Sequence, residues 1–117
     1  MPHLHRTKLW QVALPNGWRV SSGDELVTLW NPGGVGTLTV ITIAENKAPP
    51  RNGQGREFRG RLQGQTYDFS GGDRFARHWT LLCGGQWIYV RYLCATKNAE
   101  LERAEVNEIL QSLSETV

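Results

Sequence analysis

A chain of 117 residues with a formal net charge of +2 has room for one domain and one core, not for two ordinary domains. Hydrophobic residues make up 39% and charged residues 21%, and five Trp, three Tyr and three Phe supply large buried bodies, which excludes a disordered chain. The mild charge argues against nucleic-acid binding, no run approaches the ~18 apolar residues of a membrane span, and the N-terminus lacks the apolar stretch of a secretory signal. We therefore expect a single cytoplasmic domain over 1–117, with 1–7 a flexible tail and both cysteines reduced.

In chain order, Leu9 to Leu14 alternates Trp10, Val12 and Leu14 against Gln11 and predicts a strand. Pro15-Asn16-Gly17 is turn chemistry. Trp18 to Val20 resumes an extended pattern that Ser21-Ser22-Gly23-Asp24 breaks. Glu25 to Trp30 is a second strand, stopped by Asn31-Pro32-Gly33-Gly34. Val35 to Ala44, rich in Thr, Val and Ile, is a third. Residues 46–55, with Pro49-Pro50 and two glycines, predict a loop. Phe58 to Leu62 predicts a strand with Arg59 and Arg61 on its outer face, and Tyr67 to Phe69 a short one.

Phe75 to Cys83 and Gln86 to Cys94 flank Gly84-Gly85, the signature of a tight hairpin. That loop places Cys83 opposite Gln86, Leu81 opposite Ile88 and Trp79 opposite Val90. The more apolar face, expected to meet the core, carries Phe75, Trp79, Leu81, Ile88, Val90, Tyr92 and Cys94, interrupted by Arg77. The other carries His78, Thr80, Leu82, Trp87, Tyr89 and Arg91. Cys94 then lies eight residues beyond the partner of Cys83, roughly 27 Å away, which excludes a bond between them.

Asn98 to Val117 predicts an amphipathic helix: Asn98 as N-cap, Glu100 and Glu102 near the positive end of the dipole, and Val106, Ile109, Leu110, Leu113 and Val117 as the buried stripe. Many strands followed by one helix predict an α+β fold, a single antiparallel sheet packed against a C-terminal helix.

The sequence shows no catalytic motif and no paired acids placed for acid–base work, so an enzyme is disfavoured and neither a metal nor a cofactor is expected. His3 and His5 form an H-x-H pair that could ligate a metal, but a tail is the plainer reading. Cys83 and Cys94 read as buried structural thiols. Gly33-Gly34-Val35-Gly36 precedes a strand rather than a helix, so it reads as a turn and not as a phosphate loop. The arginine cluster of Arg56, Arg59, Arg61, Arg74, Arg77 and Arg91 is the one chemical feature to pursue. With His78, Trp87, Tyr89 and Arg91 on one side of the hairpin, it joins the residue types enriched at protein interfaces and anion sites, against the plainer reading of a solvated face.

The opening Trp10-Gln-Val-Ala-Leu-Pro-Asn-Gly-Trp18 and the close, Trp87-Ile-Tyr-Val-Arg-Tyr92 with a helix ending Ile109-Leu-Gln-Ser-Leu113, resemble the two ends of PsbP/Mog-type domains. The resemblance implies a sheet flanked by helices and no shared active site. Its members include photosystem subunits, a GTPase-binding factor and bacterial proteins, and some similar small bacterial domains act as immunity proteins. The expected function is a non-enzymatic, protein-binding bacterial module using Arg59, Arg61, His78, Trp87, Tyr89 and Arg91, with a homodimer compatible. The alternative is a small-molecule or anion site, enzymatic or not, at His78 and Arg91, and nucleic acid comes third.

Overall fold

The computed structural model describes residues 3–23, 26–43 and 55–116. Its strands are β1 His3–Arg6, β2 Trp10–Leu14, β3 Arg19–Ser22, β4 Leu26–Trp30, β5 Gly36–Thr42, β6 Arg56–Arg59, β7 Gln63–Gly71, β8 Arg74–Cys83, β9 Gln86–Ala95 and β10 Ser114–Glu115; one helix, α1, spans Arg103–Ser112. The strands form two antiparallel sheets, a seven-stranded one in the order β3-β4-β5-β9-β8-β7-β6 and a three-stranded one in the order β1-β2-β10. The expected single sheet closed by a long helix is therefore corrected. The fold is β-rich, and half of the covering layer is a second sheet.

The physical reason lies at both ends of the described chain. His3–Arg6, expected in a flexible tail, pairs along β2 from His3↔Leu14 to Arg6↔Gln11. Its inward side chains find partners there: His3 Nε2 lies 3.2 Å from the Trp18 carbonyl, and the His5 ring packs 5.9 Å from that of Trp10. The helix does not begin at Asn98. A 3₁₀ turn occupies Thr96–Asn98 and α1 starts after Glu102, whose side chain turns inward. At the other end Ser114 and Glu115 leave the helix to pair with Gln11 and Trp10 of β2. Ser112 Oγ fixes this exit by accepting from the Ala13 amide at 3.0 Å.

The core lies between one face of the large sheet and the layer of β2 and α1. Leu29, Leu38, Leu81, Ile88 and Val90 of the large sheet are fully buried against Trp10, Val12 and Leu14 of β2 and Val106, Ile109, Leu110 and Leu113 of the helical segment. Each such side chain contributes about 1.5–3 kcal/mol on burial. Val117, the last expected member of the stripe, lies outside the described residues, as does nearly all of the loop expected over 46–55. The Gly84-Gly85 hairpin has the expected register, Cys83↔Gln86 through Phe75↔Cys94, with both glycines at positive φ. Both cysteines are free and buried. Arg77, which interrupts the core face in sequence, pairs across the strands with Asp68 through bonds of 2.6 and 2.9 Å. The guanidinium holds the Asp68 carboxyl below its ordinary range, chiefly through that hydrogen bond.

One polar cluster inside the fold joins distant segments. Glu102 Oε1 accepts from the amides of Val35 and Gly36 at 3.1 and 2.9 Å and from the Tyr92 hydroxyl at 2.8 Å. Glu102 is 6% exposed and Tyr92 3%. The loop glycines make the approach feasible: a Cβ on Gly34 would collide with the Glu102 carboxylate, and one on Gly36 with the Tyr92 phenol.

Candidate functional site

The second face of the seven-stranded sheet carries no described element of the fold. Strand alternation places on it Trp30 of β4, Ile41 of β5, Trp87, Tyr89, Arg91 and Leu93 of β9, His78 and Leu82 of β8, and Tyr67 and Phe69 of β7. Of the five exposed large hydrophobics among the described residues, Leu26, Phe69 and Leu82 stand here at 45%, 60% and 46% exposure. The small Ala76 and Thr80 are buried between taller cross-strand neighbours. The Thr80 hydroxyl has no hydrogen-bond partner among the described residues.

At the centre of this face a single cross-strand row runs Thr28–Thr39–Arg91–His78–Tyr67. The rings of Tyr67 and His78 are parallel within 1°, with centroids 4.8 Å apart. His78 Nδ1 is hydrogen-bonded to the Tyr89 hydroxyl. Burial, then the charge of Arg91, hold the His78 pKa below its ordinary value, so the ring is neutral at pH 7. Burial pushes the Tyr89 phenol up to about 12. Arg91 is exposed and makes no ion pair with a described residue. The row therefore presents an exposed guanidinium beside a pair of rings that meet each other face to face.

The structure thus brings His78, Tyr89 and Arg91 together, with Trp87 on the same strand face. It does not bring Arg59 and Arg61 to them. Arg59 aligns with Trp87 through Gln63 and Leu82, three strands away, which puts it about 20 Å from Arg91. Its Nε is paired with Glu57 at 3.0 Å. The expected strand over Phe58 to Leu62 ends at Arg59, and Arg61 sits in a bend rather than on a shared strand face. Arg56 and Arg77 belong to the opposite face with Asp68. Tyr67 is the site residue missed in sequence. Extending the Tyr67 to Phe69 alternation back through Gln65 and Gln63 would have placed it, because β7 continues to Gln63.

Where this face meets the β4–β5 turn there is an open cleft of about 700 Å³. Trp30, Thr37 and Leu93 line it from the sheet, Asn31, Pro32 and Gly34 to Gly36 from the turn, and Asp73 and Arg74 from the start of β8. Neither His78 nor Arg91 lines it. His3 and His5 are tied into β1, and among the described residues no group of three His, Cys, Asp or Glu side chains gathers at metal-binding distance.

No family model and no curated protein matches the chain. A solved structure from Bacteroides thetaiotaomicron VPI-5482 matches it with a TM-score of 0.59 over 92% of its length at 12% identity, a likeness of fold alone. The chain spans less than half of that protein, 45% of its length. Among the described residues no helix is long and apolar enough to cross a membrane.

Proposed function

We propose that the protein is a binding module that docks another protein on the outer face of its seven-stranded sheet. The observation that carries this reading is the placement of Leu26, Phe69 and Leu82, exposed on a face whose opposite side already holds the complete core. Apolar groups spread across one open face and interleaved with Trp, Tyr and Arg have the composition of interface surfaces. The competing reading, a small-molecule or anion pocket built on His78 and Arg91, loses support because the cleft at the edge of this face is lined by neither.

Site-specific crosslinking tests the reading. A photo-crosslinking phenylalanine analogue is introduced in place of Leu82 and, separately, in place of Leu101, which is 69% exposed on the segment before α1. In the producing cell the Leu82 probe is expected to yield one discrete adduct with a second protein, and the Leu101 probe none. Adducts at Leu101 alone, or at neither site, would reject the outer face as the docking surface.

A further inference from the structure

The outer face is not neutral. Its strand positions carry four arginines, Arg19, Arg59, Arg74 and Arg91, against one glutamate, Glu57, which is already paired with Arg59. Arg74 and Arg91 make no ion pair with a described residue. Their spacing is defined by the β8–β9 ladder. Arg74 pairs with Ala95, four residues along β9 from Arg91, so the two Cα atoms stand about 14 Å apart. Leu93 lies between them, and with Trp30 it lines the cleft of about 700 Å³. Asp73 adds one carboxylate to that lining, so the two arginines exceed that acid by one charge.

Resting on the reading of the outer face as a docking surface, we infer that the cleft is its anchor point and that the occupant is an acidic protein segment. An apolar side chain of that segment seats on Trp30 and Leu93, and carboxylates on either side pair with Arg74 and Arg91. Charge complementarity selects this occupant. A second copy of the chain docked through the same face would set arginines against arginines. Single-stranded nucleic acid would also meet the positive charge, but the chain as a whole carries a net charge of only +2, and the oligonucleotide arm of the test decides the point.

The test uses fluorescence anisotropy with three labelled probes: a 12-residue peptide with a central Leu flanked on both sides by Glu, the same peptide with Lys for every Glu, and a 12-mer of thymidine. The Glu peptide is expected to bind saturably and to perturb amide signals around Trp30 and Leu93. Arg74→Glu and Arg91→Glu, both at exposed positions, should each weaken it about 10-fold or more with the melting temperature retained. The doubly reversed variant should bind the Lys peptide instead. Binding of the Glu peptide that ignores both reversals, preference for the oligonucleotide, or no saturable binding would overturn the inference. A Leu82 adduct without Glu-peptide binding would sink the acidic anchor alone, whereas failure of the Leu82 adduct would remove the docking face itself.

Discussion

Replacing Glu102 with Ala should destabilise the fold far more than replacing Glu100, although both are acids in the segment leading into α1. Glu102 is 6% exposed and its Oε1 holds three donors. Removing it leaves the Tyr92 hydroxyl, in a residue 3% exposed, buried without an acceptor, which costs about 1–3 kcal/mol. The Val35 and Gly36 amides belong to half-exposed residues that water can reach, so each adds a smaller ~0.5–1 kcal/mol. The sum is about 3 kcal/mol, or a fall in melting temperature of roughly 12 °C for a domain of this size. Glu100 has a side chain 70% exposed and an ion pair with Arg103, so its removal should cost about 0.5 kcal/mol or less. Urea denaturation of both variants, with Tyr92→Phe and the Glu102→Ala/Tyr92→Phe double variant, completes a cycle in which the coupling should reach about 1 kcal/mol. If Glu102→Ala falls no further than Glu100→Ala, or if Glu102 and Tyr92 add independently, Glu102 acts only on the helix dipole and the buried cluster is not what secures the turn.

Two further outcomes follow from the titrating groups. His78 and His5 both have pKa values held below 6.5 in the folded state, by burial first and then by Arg91 and His3 respectively. The unfolded chain therefore takes up protons first, and their contribution is complete above pH 6.5 and lost as pH falls through the lower folded values. Chemical denaturation between pH 7 and 5 should show stability falling with acidification and a shallower fall in His78→Gln; an unchanged slope in that variant would remove His78 from the account. Burial pushes the Cys83 thiol up to about 11 and raises that of Cys94, so at pH 8 neither should react with Ellman's reagent until denaturant is added, when both should; one fast native thiol would contradict the packing.

The Gly84-Gly85 hairpin was legible because a two-residue turn fixes the register of everything that follows. That register sorts Trp79, Leu81, Ile88 and Val90 to the core and His78, Tyr89 and Arg91 to the open face, so the His78–Arg91 pair of the site row follows from local sequence, whereas Tyr67 and the threonines join it through other strands. What was not legible depends on partners far along the chain. His3–Arg6 is half-polar and becomes a strand only because β2 offers it an edge. Ser114–Glu115 follows a helical pattern yet is drawn into the same sheet. Glu102 looks like an ordinary first-turn acid, and its loop partners are 66 and 67 positions away. Arg59 and Arg61 look like a strand pair until the bend after Arg59 separates them. Intrinsic strand and helix preferences are local, whereas these outcomes are set by tertiary contacts.

The position of β2 also bears on how the chain is made. Its apolar face, Trp10, Val12 and Leu14, emerges from the ribosome well before β10, which pairs with one of its edges. The Ser112 hydroxyl that secures the Ala13 backbone lies 99 positions further along the chain. Until β10 follows it out of the ribosome, β2 is therefore a half-paired strand with an exposed apolar side, the kind of nascent edge that invites intermolecular pairing or a holding chaperone. Completion of the small sheet waits on synthesis of β10, and the same long loop closure makes β2–β10 docking a late event in refolding.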